Sequence, residues 1–271
     1  MKKTVLAGSA VMLFAFPVLG ELSGPAIAEK VKYANQASSS VSLAVVKLYS
    51  AATGGSPAET RKTVMLSRRF GGRDDRKTVI RFTDRRSSYR GTTFLSLEGG
   101  GRETAYYIRL ASLGRERRLS SSEKQNNFVD TDFTNETLGG IKLGEYRFQR
   151  IADLDKDGKK YFRVWGYKKD ASARFPKYMA IVNPDTFVAE RILIYDRNGR
   201  VAREVVSGDV RQVQGKNRSY HVPFSIVIRD RIANHRTEIV LTRMTLDTVI
   251  SASRFQPENM GRVWTEEQQH Q

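Results

Sequence analysis

The sequence of 271 residues carries a formal net charge of +17, 28% charged residues, 39% hydrophobic residues and no cysteine. The hydrophobic share excludes a disordered chain and is sufficient for a full core. The lack of cysteine excludes a disulfide framework, a thiolate metal centre and a cysteine nucleophile. The three histidines, His221, His235 and His270, are too few for a histidine metal cage. The sequence therefore predicts no metal site and no cofactor.

The first residues have the pattern of a secretory signal peptide. Two lysines precede the uncharged apolar run Val5–Phe16, and a proline follows it. The run is too short to cross a membrane comfortably. We expect residues 1–20 to be removed after Gly20, with cleavage after Ala28 or an uncleaved anchor as the alternatives. The mature chain, residues 21–271, is expected to be a single domain in the periplasm.

One short helix is predicted at the start of the mature chain. Ser23 can cap a helix over Ser23–Gln36, and Pro25 falls in its first turn. Ile27 and Val31 lie on one face of this helix, which makes it amphipathic.

From Ser40 onward, apolar and polar residues alternate with a period of two, which is typical of half-buried strands. Turn residues separate the runs closely enough for an antiparallel meander, which must curl or cover one of its faces. The predicted fold is mainly β: a half-open antiparallel β-barrel of about 11–13 strands with helical lid elements. The predicted strands are Ser40–Ser50, Lys62–Phe70, Thr78–Thr83, Thr92–Leu97, Ala105–Leu110, Arg115–Leu119, Tyr146–Ala152, Tyr161–Lys168, Lys177–Val182, Ala189–Tyr195, Val201–Gly208, Tyr220–Arg229 and Arg236–Thr245.

The segment Ser120–Gly144 breaks this alternation. It is polar, but Phe128, Phe133 and Leu138 stand in it at wide spacing. A long loop between strands is either functional or disordered, and isolated aromatic residues need a place to be buried. We therefore predict an ordered segment that covers the sheet.

Three motifs that could carry catalysis or ligand binding are weak. Asp153–Gly158 matches the first half of a calcium-binding loop, but the twelfth position is Val164, so a tight hairpin turn is favoured. Gly99–Gly101 is followed by neither Lys-Ser/Thr nor a helix, and a turn is again favoured. The sequence has no Gly-x-Ser-x-Gly, and His221 and His235 are interpreted as structural.

Residues 61–90 contain eleven Lys or Arg and three Asp. Such a density is typical of nucleic-acid binding, but export of the chain argues against that partner. The arginines alternate with apolar residues, which favours either a solvated strand face or a surface for anionic membranes. The predicted basic surface patch consists of Arg68, Arg69, Arg85 and Arg86.

The segment Tyr107–Leu138 contains an Arg-Arg pair, a Ser-Ser-Glu-Lys turn and the box Thr-Asp-Phe-Thr-Asn-Glu-Thr-Leu. In these motifs it resembles the outer membrane lipoprotein-sorting protein family, whose members have the LolA/LolB-like fold of periplasmic lipoprotein carriers. The residues that carry the motif include Arg117, Arg118, Ser122, Lys124, Asp132 and Phe133.

The resemblance implies a non-enzymatic carrier that binds lipid or lipoprotein acyl chains in an apolar cavity for transfer toward the outer membrane. An inner-membrane transporter would be the donor, and an outer-membrane protein the acceptor. A lipid-sensing module of the same fold, an exported hydrolase with scattered carboxylates and a nucleic-acid binder are the alternatives. Alternate strand positions and the lid predict a cavity lined by Phe82, Phe94, Tyr107, Phe128, Phe133, Tyr146, Phe148, Phe162, Trp165, Leu193 and Tyr195.

Overall fold

The computed structural model of the protein describes residues 22–51, 55–99, 102–138 and 140–265. The predicted signal peptide and His270 lie outside these residues. Within the described part of the chain, no helix is long and apolar enough to cross a membrane.

One sheet contains all the strands that the structure describes, and their number agrees with the alternation in the sequence. The strands are β1 (Ser39–Ser50), β2 (Glu59–Arg69), β3 (Arg76–Phe82), β4 (Thr93–Gly99), β5 (Arg102–Arg109), β6 (Glu116–Arg118), β7 (Tyr146–Lys156), β8 (Lys159–Lys168), β9 (Lys177–Val182), β10 (Ala189–Tyr195), β11 (Val201–Gln214), β12 (Ser219–Asp230) and β13 (His235–Leu246).

The strand order is β6-β5-β4-β3-β2-β1-β13-β12-β11-β10-β9-β8-β7, and each neighbouring pair is antiparallel. The two halves of the meander join where β1 pairs with β13. Strands β6 and β7 form the two edges, so the sheet is open. Strands β2–β4 and β8–β10 are well separated in this order but line the same cavity, which means that the sheet curls around one face, here called the inner face. The predicted half-open barrel is confirmed.

The acidic segment before β8 is a hairpin turn, as its sequence favours. Asp157 and Gly158 join β7 to β8 with φ angles of 55° and 73°. A two-residue hairpin turn whose twist matches that of the flanking strands requires a positive φ at both central residues. Asp153 pairs with Arg150 at 2.8 Å and so stabilises the end of the hairpin strand.

Helix α1 (Gly24–Tyr33) covers the inner face of β7 and β8. Ser23 caps it through a side-chain hydrogen bond to a first-turn N–H. The helix touches the sheet at Gly24, where a Cβ would lie 2.7 Å from the backbone nitrogen of Arg150. Only glycine permits this approach. One turn later, Ile27 is fully buried between the helix and the sheet.

The outer face of the sheet is covered by the chain that follows β13. Four of its side chains pack on the strands, and Arg81 of β3 donates a hydrogen bond to the carbonyl oxygen of Met260 at 2.8 Å. This outer core consists of Leu43, Val64, Leu66, Val79, Leu95, Ile250, Phe255, Met260 and Trp264.

The described residues of the segment 120–144, namely 120–138 and 140–144, lie over the inner face and are here called the lid segment. Phe128 is 3% exposed, and its ring lies 5.7 Å from that of Phe82 and 5.4 Å from that of Phe94. A short helix, α2 (Asn135–Leu138), follows. The isolated aromatic residue is therefore buried, as expected for an ordered covering segment.

Candidate functional site

The inner face encloses a cavity with two adjoining compartments of about 240 and 400 Å³. The first, the lid compartment, lies under the lid segment, and the second, the helix compartment, lies beside α1. Both are lined by Thr137, Gly140 and Ile141 of the lid segment and by Tyr178 and Ile192 of the sheet. Because they share these residues, the two compartments lie side by side, and their combined volume is typical of small-molecule sites.

The lid compartment has an apolar floor and a charged rim. Tyr146 and Tyr178 meet edge to face with ring centroids 5.4 Å apart, and burial raises the pKa of both phenols. At the rim, Lys168 pairs with Glu136 at 2.7 Å. The remaining floor is aliphatic and is formed by Ile192, Ile194, Val205 and Ile228.

The helix compartment has two unlike walls. The wall formed by α1 and β8–β10 is apolar except for Lys32 of α1, and the wall formed by β1–β4 is polar except for Met65. The apolar wall includes Ile27, Val31, Val164, Ala180, Val182, Ala189 and Ile192. The polar wall includes Ser40, Ser67, Arg76, Thr78 and Glu98. A ligand that fills this compartment therefore meets an apolar and a polar surface at once.

Two buried arginines hold the lid segment against the inner face. Arg61 of β2 is 1% exposed and donates to the carbonyl oxygen of Val129 at 2.6 Å. Arg203 of β11 is 2% exposed and donates to the carbonyl oxygen of Asp132 and to Asn127, each at 2.7 Å. Burial lowers the pKa of the Arg203 guanidinium. Val129 has a φ of 42°, a strained value for a β-branched residue, so these contacts hold a backbone conformation that is costly by itself.

Asp132 joins the lid segment to β13. Its carboxylate accepts a hydrogen bond from the hydroxyl of Thr237 at 2.7 Å and lies 2.9 Å from Nδ1 of His235. Its backbone N–H donates to Thr237 Oγ1 at 2.9 Å. Asp132 is 1% exposed and its Oδ2 has two partners on β13, which gives it a structural role at the lid.

The Ser-Ser-Glu-Lys turn at the start of the lid segment is organised by Glu123. Its carboxylate accepts hydrogen bonds from the backbone N–H of Ser120 at 2.9 Å, from the Ser120 hydroxyl at 2.8 Å and from Arg117 at 2.7 Å. These hydrogen bonds, the backbone one first, lower the pKa of Glu123 to about 2.

We predict that Glu123 makes the stability of the protein sensitive to acid. Because folding lowers the pKa of Glu123 to about 2, its contribution is present above the ordinary carboxyl pKa and is lost as the pH falls toward the folded value. Glu123→Gln should lower the melting temperature at pH 7, and the gap to wild type should close between about pH 5 and pH 2. Glu116→Gln, in the exposed strand β6, is the matched control and should show no such gap. A gap for Glu123→Gln that is constant with pH would contradict the prediction.

Seven of the eleven residues predicted to line the cavity lie on the inner face, but only two of them, Phe133 and Tyr146, contact the open space of the cavity. Phe82, Phe94 and Phe128 form a closed cluster with Tyr106 at one end of the inner face. Phe148 and Phe162 pack beneath α1, against the residues of the apolar wall.

The other four residues, Tyr107, Trp165, Leu193 and Tyr195, lie on the outer face. Tyr107 packs against the outer core, and the Trp165 and Tyr195 rings lie 5.2 Å apart. The reason is register, because a shift of one residue moves every side chain of a strand to the opposite face. The inner positions in these strands are Tyr106, Val164, Ile192 and Ile194.

Sequence reasoning missed several residues that line the site. In β10 the run Arg-Ile-Leu-Ile-Tyr is apolar at every position after the arginine. It therefore has no polar–apolar alternation that would show which of its side chains face the cavity. Tyr178 of β9 is an aromatic strand residue, like most of the residues predicted to line the cavity, and could have been predicted on the same ground. Ile141 lies in the lid segment, where the prediction considered only aromatic residues.

The motif residues are concentrated in and beside the lid segment. Arg117 pairs with Glu123, Ser122 contacts Ser120 at 3.1 Å, and Lys124 pairs with Glu103. Arg118 is exposed in β6, next to β5. Asp132 anchors the lid segment and Phe133 lines the lid compartment. The motif therefore corresponds to the cover of the cavity.

The four arginines of the predicted basic patch are not brought together into one surface. Arg68 donates to the carbonyl oxygen of Ile250 on the outer face, at 2.5 Å. Arg69, its neighbour in β2, points toward the inner face, where it is paired across the strands with Arg76. Arg85 and Arg86 are exposed in the loop between β3 and β4.

A family model described as "Uncharacterized protein" matches residues 74–262, more than half of the chain. The chain belongs to that family. Three solved structures have the same fold. A domain from Vibrio parahaemolyticus, named for outer membrane lipoprotein sorting, aligns with a TM-score of 0.78 at 20% identity and covers 88% of this chain and 98% of its own.

A DUF1329 family protein from Desulfovibrio piger aligns with a TM-score of 0.76 at 20% identity, over 88% of this chain and 97% of that one. A LolA superfamily protein from Nitrosomonas europaea aligns with a TM-score of 0.64 at 16% identity, over 87% and 98% of the two chains. At these identities the alignments show the fold, and the resemblance to LolA-like proteins is confirmed at that level. No curated protein matches the sequence.

Proposed function

We propose that this protein is a non-enzymatic periplasmic carrier that binds a lipid, or the acyl chains of a lipoprotein, between the lid segment, α1 and the inner face. The observation that supports this most strongly is the pair of adjoining, largely apolar compartments, which share Tyr178 and Ile192 in their lining. Apolar walls bind an acyl chain by removing its surface from water, which requires no catalytic group.

The lid segment supports a function in which ligand enters and leaves. Its contacts with the sheet are hydrogen bonds from Arg61 and Arg203 to backbone carbonyls, the Asp132 contacts and the packing of Phe128. None of these contacts belongs to the strand pairing, and the ion pair between Arg203 and Asp230 lies within the sheet itself. The lid segment can therefore open over the cavity while the sheet beneath it stays folded.

The acidic groups support a non-enzymatic role. Each buried carboxylate is bound by neighbouring residues. Asp132 contacts Thr237 and His235. Glu204 pairs with two arginines, and Asp230 pairs with Arg203. A hydrolase built on carboxylates would need two of them free to act on a bound substrate. In the cavity lining that the structure describes, the acidic residues Glu98, Glu136 and Glu145 are each ion-paired with a lysine.

Export to the periplasm follows from the signal-like first residues and fits a lipid carrier. Cleavage after Gly20 would leave α1 complete. Cleavage after Ala28 would divide α1 just beyond Ile27, a fully buried residue, which supports the earlier site. An inner-membrane donor and an outer-membrane acceptor are the partners that such a carrier requires.

The direct test is native mass spectrometry of protein purified from the periplasm, followed by lipid extraction and vesicle transfer. We expect about one acyl lipid per chain and stoichiometric delivery of labelled lipid to acceptor vesicles. A sensor of the same fold would bind lipid without delivering it. Protein that is isolated without lipid and takes up none from vesicles would contradict the proposal.

A further inference from the structure

Two arginines face each other on the polar side of the helix compartment. Arg69 of β2 and Arg76 of β3 are directly opposite in the strand register, and both point toward the inner face. Arg76 lines the helix compartment itself. Like charges in this position repel each other, so the pair is unfavourable for the sheet unless something compensates it.

The two guanidinium groups lack a compensating carboxylate. Among the described residues, neither Arg69 nor Arg76 forms an ion pair. Arg76 donates to Ser67 Oγ at 2.8 Å and to the carbonyl oxygen of Ala37 at 2.5 Å. Arg69 donates only a long bond, 3.4 Å, to the carbonyl oxygen of Gln36. All of these acceptors are neutral.

Each arginine also keeps a donor that is buried and unused. The Nε atoms of Arg69 and Arg76 are buried and have no hydrogen-bond partner. Native proteins rarely leave such groups unsatisfied, so each one calls for an explanation. Burial first, and the charge of Arg69 second, lower the pKa of Arg76 to about 10, which leaves it charged at neutral pH.

The other charged residues in the described lining of the helix compartment, Lys32 of α1 and Glu98 of β4, are already engaged. Lys32 pairs with Asp74 at 2.8 Å and with Glu98 at 3.5 Å. Glu98 attracts Arg76 only from beyond ion-pair distance, and burial raises its own pKa. In the described lining of the helix compartment, Arg76, with Arg69 beside it, is therefore the positive charge without an ion-pair partner.

We propose that Arg69 and Arg76 bind the anionic head group of an acyl lipid whose chain lies on the opposite, apolar wall. This inference rests on the proposed function and specifies its ligand class. A carboxylate or phosphate oxygen is the partner that a guanidinium Nε–H binds best. The apolar wall of the same compartment, which includes Val164, Ala180 and Ile192, makes a free inorganic anion the poorer match.

One further atom on this wall is a hydrogen-bond acceptor. The amide oxygen of Gln36 is buried without a partner. It cannot bind an anionic oxygen, but it can accept a hydrogen bond from a head-group hydroxyl or from water. It adds to the polar character of this wall, and the anion site does not depend on it.

The test compares ligands that share a chain and differ in charge. Palmitate and 1-hexadecanol form one pair, and dipalmitoylphosphatidylglycerol and dipalmitoylglycerol form the other. We expect wild type to bind the anionic member of at least one pair about tenfold more tightly at pH 7, because charge-assisted bonds are stronger than neutral ones. The pair that shows the preference identifies the head group as carboxylate or phosphate.

The variant Arg69→Gln/Arg76→Gln should lose this selectivity. The affinity for the anionic lipid should fall to that of its neutral counterpart, and the neutral lipid should bind as in wild type. The control, Arg85→Gln/Arg86→Gln, removes two charges from an exposed loop and should keep the selectivity. If the double variant does not fold, Arg69→Gln alone, which loses only one long hydrogen bond, should reduce the selectivity at least threefold.

Equal binding of charged and neutral lipids by wild type would overturn the anion site and leave the proposed function standing. Failure of wild type to bind any of the four lipids would overturn both. Unchanged selectivity in the arginine variants would show that the preference arises elsewhere, and would also reject this assignment.

Discussion

Replacing Arg203 with methionine should destabilise the protein by about 3–5 kcal/mol and release the lid segment. Arg203 is buried, forms an ion pair with the buried Asp230 at 3.0 Å and donates two hydrogen bonds to the lid segment. Methionine fills similar space but leaves the carboxylate of Asp230 without its cation. A charge left buried and unpaired is far more costly than the loss of an exposed pair.

The measurement is chemical denaturation combined with hydrogen exchange. Arg203→Met should lower the free energy of unfolding and increase exchange in residues 126–134. Arg200→Met, which removes an exposed pair with Asp196 at 2.9 Å, is the matched control and should change stability by less than about 1 kcal/mol. Equal effects of the two substitutions would show that the buried contacts of Arg203 do not hold the lid segment.

Replacing Ile192 with glutamate should reduce lipid occupancy about tenfold or more. Ile192 lies where the two compartments meet, so a carboxylate there would be placed against any acyl chain that spans the site. An ionised group without a partner is strongly unfavourable in an apolar environment. Lipid that co-purifies with the variant, counted by native mass spectrometry, gives the result.

The matched control makes the same substitution on the other face of the sheet. Ile181 is half-buried like Ile192, but its strand neighbours are Arg163 and Arg191. Ile181→Glu should therefore fold well and keep its lipid. Retention of lipid by Ile192→Glu, or loss from both variants, would mean that the cavity is not where acyl chains bind.

The architecture could be predicted because its signals are local. Each strand has its own alternation, and each hairpin has its own turn residues, as Asp157 and Gly158 show. The cap at Ser23 and the apolar face with Ile27 also lie within a few residues of each other, and α1 starts within one residue of its predicted position. The curl of the sheet then followed from the need to cover one face.

The lining of the cavity could not be predicted to the same degree, because the face of the sheet on which a side chain lies depends on the strand register. The adjacent residues Tyr106 and Tyr107 lie on opposite faces, and the sequence offers no local reason to choose between them. The lid contacts of Arg61 and Arg203 join residues about 70 positions apart in the chain. Composition showed that arginine was abundant, but only the fold shows which arginines are buried.

The pairing of Arg69 with Arg76 illustrates the same limit. Both residues lie in the basic segment, where sequence reasoning favoured a solvated or membrane-facing surface. The strand register instead turns this pair inward, while Arg68 faces outward to Ile250. The basic segment therefore supplies charge to the outer face, to the exposed loop and to the cavity.

The central claim is that an acyl chain occupies the space between the lid segment, α1 and the inner face. The most direct measurement is photolabelling with a palmitate that carries a diazirine at the end of its chain, followed by mass spectrometry of the labelled peptides. The account predicts labels on cavity residues such as Ile141, Tyr178 and Ile192. Labels on the outer face, at Trp165 or Tyr195, or no specific label at all, would contradict it.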